Sequence, residues 1–249
     1  HELQDHRRRE RGERRRHGGG QQDTAAAAPA PESTDDAESD ADDSSTIWFP
    51  ELSVAVNNLM WPALFNAFAI RGEEYRDPRI LLAGFDDLIA LGAEHLLGAH
   101  GPPISGIDHV RSELTRSRDA IQFLWDQTVR GVNLGLTHGE LIEFVQLPVT
   151  YGESYFQTQF YGLVEHHTRQ IHIGLRGWFD GDTSQLFPVP PIERAGRLVA
   201  GFGGADAVRR QVDDAIDEGD LRWALELATW LVRVDPENIA DRHRLAVAL

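Results

Sequence analysis

The sequence predicts an α+β chain that is mainly α, and three observations carry that reading. Two short runs rich in β-branched and aromatic residues lie close together between Thr46 and Val56. From Gly106 almost to Leu249 the apolar residues recur at helical spacing. Glycine and proline then cut that long stretch into helices of ordinary length.

Residues 1–37 read as a tail: residues 1–17 contain seven arginines, and residues 18–37 are Gly, Gln, Ala, Pro and acidic residues, a linker composition. Order is expected from about Ser45. Thr46 to Pro50 reads as a strand, Glu51 as a turn and Leu52 to Val56 as a second strand, together a hairpin. Leu59 to Ile70 has a helical period. Asp77-Pro78 opens the next helix, with Asp77 as N-cap and Pro78 at the first position, running to about Leu97 and stopping at Gly98. A Pro/Gly loop follows from Ala99 to Gly106. Asp108 to about Asn133 is one long helix, and Thr137-His138-Gly139-Glu140 is the capping-box start of a short one. Gln157 to Arg176 reads as a long helix ended by Gly177, and Leu186 to Pro191 as a Pro-rich connection. Helices are then expected over Ile192–Ala200, Ala205–Glu218, Asp220–Val234 and Pro236–Leu249, the last three joined by turns at Gly219 and Asp235-Pro236. Such paired helices resemble tetratricopeptide-type hairpins.

Composition removes several function classes. There is no cysteine, hence no disulfide, thiolate ligand or cysteine nucleophile. All 24 basic residues are arginine, and the net charge of −16 disfavours general nucleic-acid binding. The arginines of residues 1–17 admit a nucleic-acid arm, but no aromatic residue alternates with them as a stacking platform would require. No run of 18 apolar residues exists, so no membrane span is expected. The polar, basic opening is not followed by an apolar segment, so no signal peptide is expected and a cytoplasmic location is favoured.

Few side chains combine the right chemistry with a rigid setting. His100 lies in a loop stiffened by Pro102 and Pro103, a setting that suits a metal ligand and equally a surface histidine. Asp40, inside the acidic run Glu38 to Asp43, offers a carboxylate or belongs to a solvated linker. Arg71 and Arg76 flank Glu73 and Glu74, so either arginine can clamp an oxyanion or join an exposed ion-pair cluster. Phe160, Val164, His167, Ile171 and Trp178 share one apolar stripe, which places His167 in the core and leaves His166 free to face a cleft.

Taken in order, these segments resemble the alkylsulfatases of the metallo-β-lactamase superfamily. The resemblance covers roughly residues 38–249. It rests most on Tyr161-Gly162 with His166, on Gly177-Trp178-Phe179-Asp180-Gly181, on Leu186-Phe187-Pro188, and on Gly203 to Ala207, Gly219 to Ala224 and Asp235-Pro236. Ile70-Arg71-Gly72, Tyr75-Arg76-Asp77 and the His100 loop carry it further upstream. The resemblance implies that residues 38–106 are the C-terminal remnant of a metallo-β-lactamase αββα domain and that residues 107–249 form an all-α helical dimerisation domain. It implies a two-zinc site that hydrolyses alkyl sulfate esters. In that frame His100, Asp40 and Asn58 stand at metal-ligand positions, Arg71 holds the sulfate group, and Tyr161 and His166 are the catalytic candidates facing the substrate cleft.

One departure is large. The family's H-x-H-x-D-H zinc motif should precede these segments, and Arg-rich and Ala/Pro/Asp-rich sequence stands there instead. The expectation is therefore a hydrolase fragment that is inactive alone and forms a homodimer. The alternative is a non-catalytic helical interaction module whose apolar stripes, Trp223 and Trp230 among them, pair two chains.

Overall fold

The computed structural model describes residues 32–34, as backbone only, together with 45–60, 64, 76–152 and 154–249. Its N-terminal part is a sheet of five short strands in sequence order: β1 (Glu32–Thr34), β2 (Thr46–Phe49), β3 (Val54–Val56), β4 (His95–Leu97) and β5 (Ile104–Ser105). The expected hairpin is present. β2 and β3 are antiparallel through a single 3-10 turn, Pro50–Leu52, and Ser53 takes a left-handed conformation. The second strand therefore starts at Val54 rather than Leu52.

β3 and β4 pair in parallel, with Ala55 opposite Leu96. A parallel pair needs a crossover, and α1 (Pro78–Leu91) supplies it. Asp77 caps this helix by accepting from the Arg79 N–H at 2.9 Å. The helix ends at Gly92, in the left-handed conformation, six residues short of the expected stop at Gly98. His95, Leu96 and Leu97 leave the helix because β3 offers them a hydrogen-bonding edge and a buried place for Leu96. The expected loop from Ala99 to Gly106 likewise contains β5, paired antiparallel to β4. The expected helix over Leu59 to Ile70 lies outside the described residues, apart from Leu59, Met60 and Leu64.

The helical part is organised around α2 (Ile107–Asn133), about 40 Å long at 1.5 Å per residue. Its N-terminal half joins the sheet and α1 in one apolar core, with Phe85, Leu88, Leu96, Leu114 and Ile121. Its C-terminal half joins a second core with Leu64, Leu124, Leu141, Val164 and Ile171. That core is completed by α3 (His138–Phe144), α4 (Val149–Gly152) and α5 (Val164–Arg176). The capping box at Thr137 is formed in both directions, with Thr137 N–H donating to Glu140 at 2.8 Å.

The long helix expected from Gln157 starts only at Val164. Gln157 sits at the end of a 3-10 turn (Tyr155–Gln157), and its amide donates to the Ser117 hydroxyl at 2.5 Å. Ser154 caps that turn and donates to the buried Glu113 carboxylate on α2. Thr158 is extended, and its carbonyl accepts from the Leu64 N–H. Tertiary hydrogen bonds thus outcompete the helical period over seven residues. The expected apolar stripe is shorter for the same reason: Val164, His167 and Ile171 are buried, whereas Phe160 and Trp178 are exposed.

Four helices follow: α6 (Pro191–Gly201), α7 (Ala205–Glu218), α8 (Leu221–Val234) and α9 (Ile239–Ala248). Their bounds match the sequence expectation to within a residue, except that α9 starts at Ile239, capped by Asn238, rather than at Pro236. They enclose a third core of Ala195, Val208, Val212, Leu227 and Leu231. Trp223 and Trp230 belong to this core. Their rings meet edge to face at 5.9 Å, and Trp230 also meets Phe202 at 5.3 Å. The two tryptophans expected to pair two chains are thus packed largely within one.

Candidate functional site

Candidate residues converge at the end of the parallel strand pair. Beyond β3, the Asn57 N–H donates to the Leu97 carbonyl at 3.0 Å. The Asn57 side chain donates to the Thr46 hydroxyl at 2.6 Å and accepts from the Leu59 N–H at 2.5 Å, so this asparagine is a structural clamp. Beyond β4, Gly98 lies tight against the chain that follows. A methyl group on it would stand 2.9 Å from the Met60 carbonyl oxygen. These contacts put the Asn58 turn and the His100 turn side by side at the carboxyl ends of two parallel strands, a common place for sites in such sheets. His100 is exposed and Asn58 half-buried.

Six residues beyond Asn58, the chain docks on the helical part. Leu64 is buried in the second core, its N–H donates to Thr158, and its carbonyl presses on Gly162. A Cβ at Gly162 would fall 2.1 Å from the Leu64 oxygen, so only glycine fits. Six residues span at most about 20 Å of chain, which bounds the separation of Asn58 from the loop carrying Tyr161. Tyr161 and His166 are both exposed; His167 is fully buried and donates from Nδ1 to the Leu163 carbonyl. The expected burial of His167 therefore holds, and His166 is on the surface. Asp40, Arg71, Glu73 and Glu74 lie outside the described residues.

A hydrolytic metal centre needs three or more protein ligands. Among the described residues, no three of His, Asp and Glu gather at metal-binding distance. His100 would offer one imidazole and Asn58 one neutral amide, which do not make up a centre by themselves.

Sequence reasoning missed a second cluster. The Nε2 of His138, at the start of α3, and the Nδ1 of His172, on α5, are 2.7 Å apart, their rings edge to face. Both rings are disfavoured as cations. Burial, the neighbouring His138 and Arg176 push His172 down to about 4 against the pull of Asp180; burial, with Arg169, lowers His138. At neutral pH the pair is therefore uncharged, one ring N–H donating to the lone pair of the other. Asp180 belongs to the Gly177-to-Gly181 turn. Gly177 ends α5, and Gly181, at φ 92°, packs against Thr137 at the cap of α3. Nothing in the sequence links two histidines 34 residues apart; the glycine-rich turn was the visible sign that α5 comes back to α3.

The family profile described as alkyl sulfatase dimerisation matches residues 137–249, from the cap of α3 through α9. The chain carries an alkyl sulfatase dimerisation domain. It is homologous to the alkylsulfatases over most of its length. It is 40% identical over 203 residues to a linear primary-alkylsulfatase from a Pseudomonas species, covering 80% of this chain and 38% of that protein. It is 34% identical over 217 residues to an (R)-specific secondary-alkylsulfatase from Pseudomonas, covering 85% and 33%. The solved structure of the stereoselective inverting sec-alkylsulfatase Pisa1 from Pseudomonas superposes with a TM-score of 0.80 at 33% identity, covering 88% of this chain and 35% of that one. The chain thus spans about a third of the length of the alkylsulfatases it matches, and the match takes in both the sheet edge and the helices described above.

Proposed function

We propose that this chain is the C-terminal portion of an alkylsulfatase-like hydrolase, supplying its dimerisation domain and one wall of its substrate site. The observation that carries the reading is the 40% identity over 80% of the chain to a protein of which it spans 38%. In the complete enzyme, two zinc ions would activate water and neutralise sulfate oxygens; His100, Asn58 and a carboxylate at or near Asp40 would be the donors from this chain, the rest coming from elsewhere. What the chain's own residues contribute is narrower. Arg71 holds the sulfate group by paired N–H donors. His166, on the first turn of α5 and exposed, protonates the departing alcohol, and Tyr161 in the adjoining loop orients the ester. Residues 38–106 would be the end of a metallo-β-lactamase-type domain, residues 107–249 the dimerisation domain, and α7 to α9 a tetratricopeptide-like arrangement inside it.

The chain by itself is expected to be inactive and homodimeric. Incubation of the purified chain with zinc and dodecyl sulfate, followed for sulfate release, tests the first half. Turnover abolished by a chelator would overturn it.

A further inference from the structure

The helical part leaves an apolar surface uncovered, and it is concentrated in one stretch of chain. At the end of α5, Ile173 and Leu175 are about two-fifths exposed; in the connection to α6, Trp178 is 73% exposed and Phe187 94%. Ile192, on the first turn of α6, is 70% exposed. Among the described residues, Leu52, Val149, Phe160 and Ile239 are also strongly exposed. Between them Trp178 and Phe187 expose on the order of a few hundred Å² of ring surface.

The local sequence sharpens the point. Residues 183–192, Thr-Ser-Gln-Leu-Phe-Pro-Val-Pro-Pro-Ile, contain no charged residue, in a chain where 26% of residues are charged. Interface centres are depleted in charge and enriched in Trp and Phe. Pro188, Pro190 and Pro191 hold the segment in a restricted conformation, so little freedom is lost when it is covered. They also remove three backbone donors that burial would otherwise leave to satisfy. In a chain of net charge −16, self-association is most favourable where charge is absent.

We propose that Trp178 and the uncharged run from Thr183 to Ile192 form the face on which a second copy of this chain docks, Phe187 being its central anchor. The occupant is a second copy because residues 137–249, which contain the whole face, match the alkyl sulfatase dimerisation family. The proposal rests on the homodimer reading above and adds where the two copies meet. A two-fold pair uses the same patch on both copies, so Phe187 and Trp178 of each would cover those of the other.

The test is light scattering after size exclusion, with sedimentation equilibrium, on the whole chain from 0.1 to 50 µM. The expected result is a wild-type dimer, dimerisation weakened about tenfold or more by Phe187→Asp and by Trp178→Asp, and no change with Ile239→Asp. The chain has no cysteine, so Phe187→Cys carrying an environment-sensitive fluorophore gives a second readout. Its emission should shift to the blue with concentration. A wild-type monomer at 50 µM would sink the homodimer reading and the face with it. A dimer unaffected by both aspartates, with unshifted probe emission, would sink the face alone. Probe emission that shifts with dodecanol but not with concentration would instead assign the patch to an alkyl chain and overturn the proposal.

Discussion

The two helical regions are built on different principles. The α6–α9 region has a dry core of Ala, Val, Leu and Trp, and its buried charge is Asp241. That carboxylate is held by Arg209 at 2.7 Å and by Arg244, which also reaches Asp213 at 2.7 Å, so the ion pairs tie α7 to α9. The region of α2, α3 and α5 buries Glu113, Ser117, Thr128, Gln157, His167, Thr168 and His172 among its apolar residues. A core held by apolar stripes places its helices wherever the 3.6-residue period says. A core threaded with polar contacts places its chain wherever the hydrogen bonds close. The two regions are joined by a surface ion pair between Arg222 and Glu165, with one contact at 2.9 Å, and by the Pro-rich connection.

That contrast can be broken in three ways. The largest effect should come from Asp241→Ala, which removes the buried carboxylate that Arg209 and Arg244 share and leaves them only their outer partners, Asp206 and Asp213. Because both guanidiniums keep a carboxylate, the loss should lie at the lower end of the range for breaking a buried pair, about 3 kcal/mol. Thermal unfolding followed by circular dichroism should show it, and a loss below about 1 kcal/mol would mean that the α7–α9 network is dispensable. Next is Gly162→Ala, whose methyl group cannot clear the Leu64 carbonyl without moving backbone. Such overpacking costs up to about 3 kcal/mol. The damage should fall on the Tyr161 loop and α5, seen as faster amide exchange there and unchanged exchange in α7–α9.

The smallest effect is the response to acid. The folded value of His172, about 4, lies below its ordinary 6.5, so the unfolded chain takes up this proton first as pH falls. The stability it contributes is complete above about pH 6.5 and is lost on going down towards pH 4, reaching about 2 kcal/mol at pH 5. His138 acts in the same direction. Acid should therefore loosen α3 and α5 before α7–α9, and His172→Asn should flatten the dependence between pH 6.5 and 4. A His172→Asn chain as acid-sensitive as the wild type would remove the histidine pair from the explanation.

Much of this was legible in the residues themselves. Asp77-Pro78, the capping box at Thr137, Gly177, Gly219 and the period from Ala205 to Val234 each specify a helix end or face by local stereochemistry, and the structure follows them. The alkylsulfatase resemblance was legible because the glycine-rich turns and the tryptophans stand in a distinctive order, and the homologous proteins bear it out. Where the expectation failed, a distant partner intervened. His95 to Leu97 carries a helical pattern but is drawn into a strand by β3, and residues 157–163 are kept out of the helix by contacts of Gln157 with Ser117 and of Thr158 with Leu64.

The sequence by itself determined the class of the chain, most helix boundaries and the family. The class and the boundaries follow from propensity, capping and period, which act over a few residues; the family followed from the resemblance of its ordered motifs. Only the tertiary structure decided that Asn58 and His100 lie on adjacent turns, that Gly162 must admit the Leu64 carbonyl, and that His138 meets His172 across 34 residues. It also decided that Trp223 and Trp230 pack inward while Trp178 and Phe187 stay outside. Those outcomes depend on which distant surfaces are free to be covered, and an apolar residue does not record in its own neighbourhood whether its partner is in the same chain or in another.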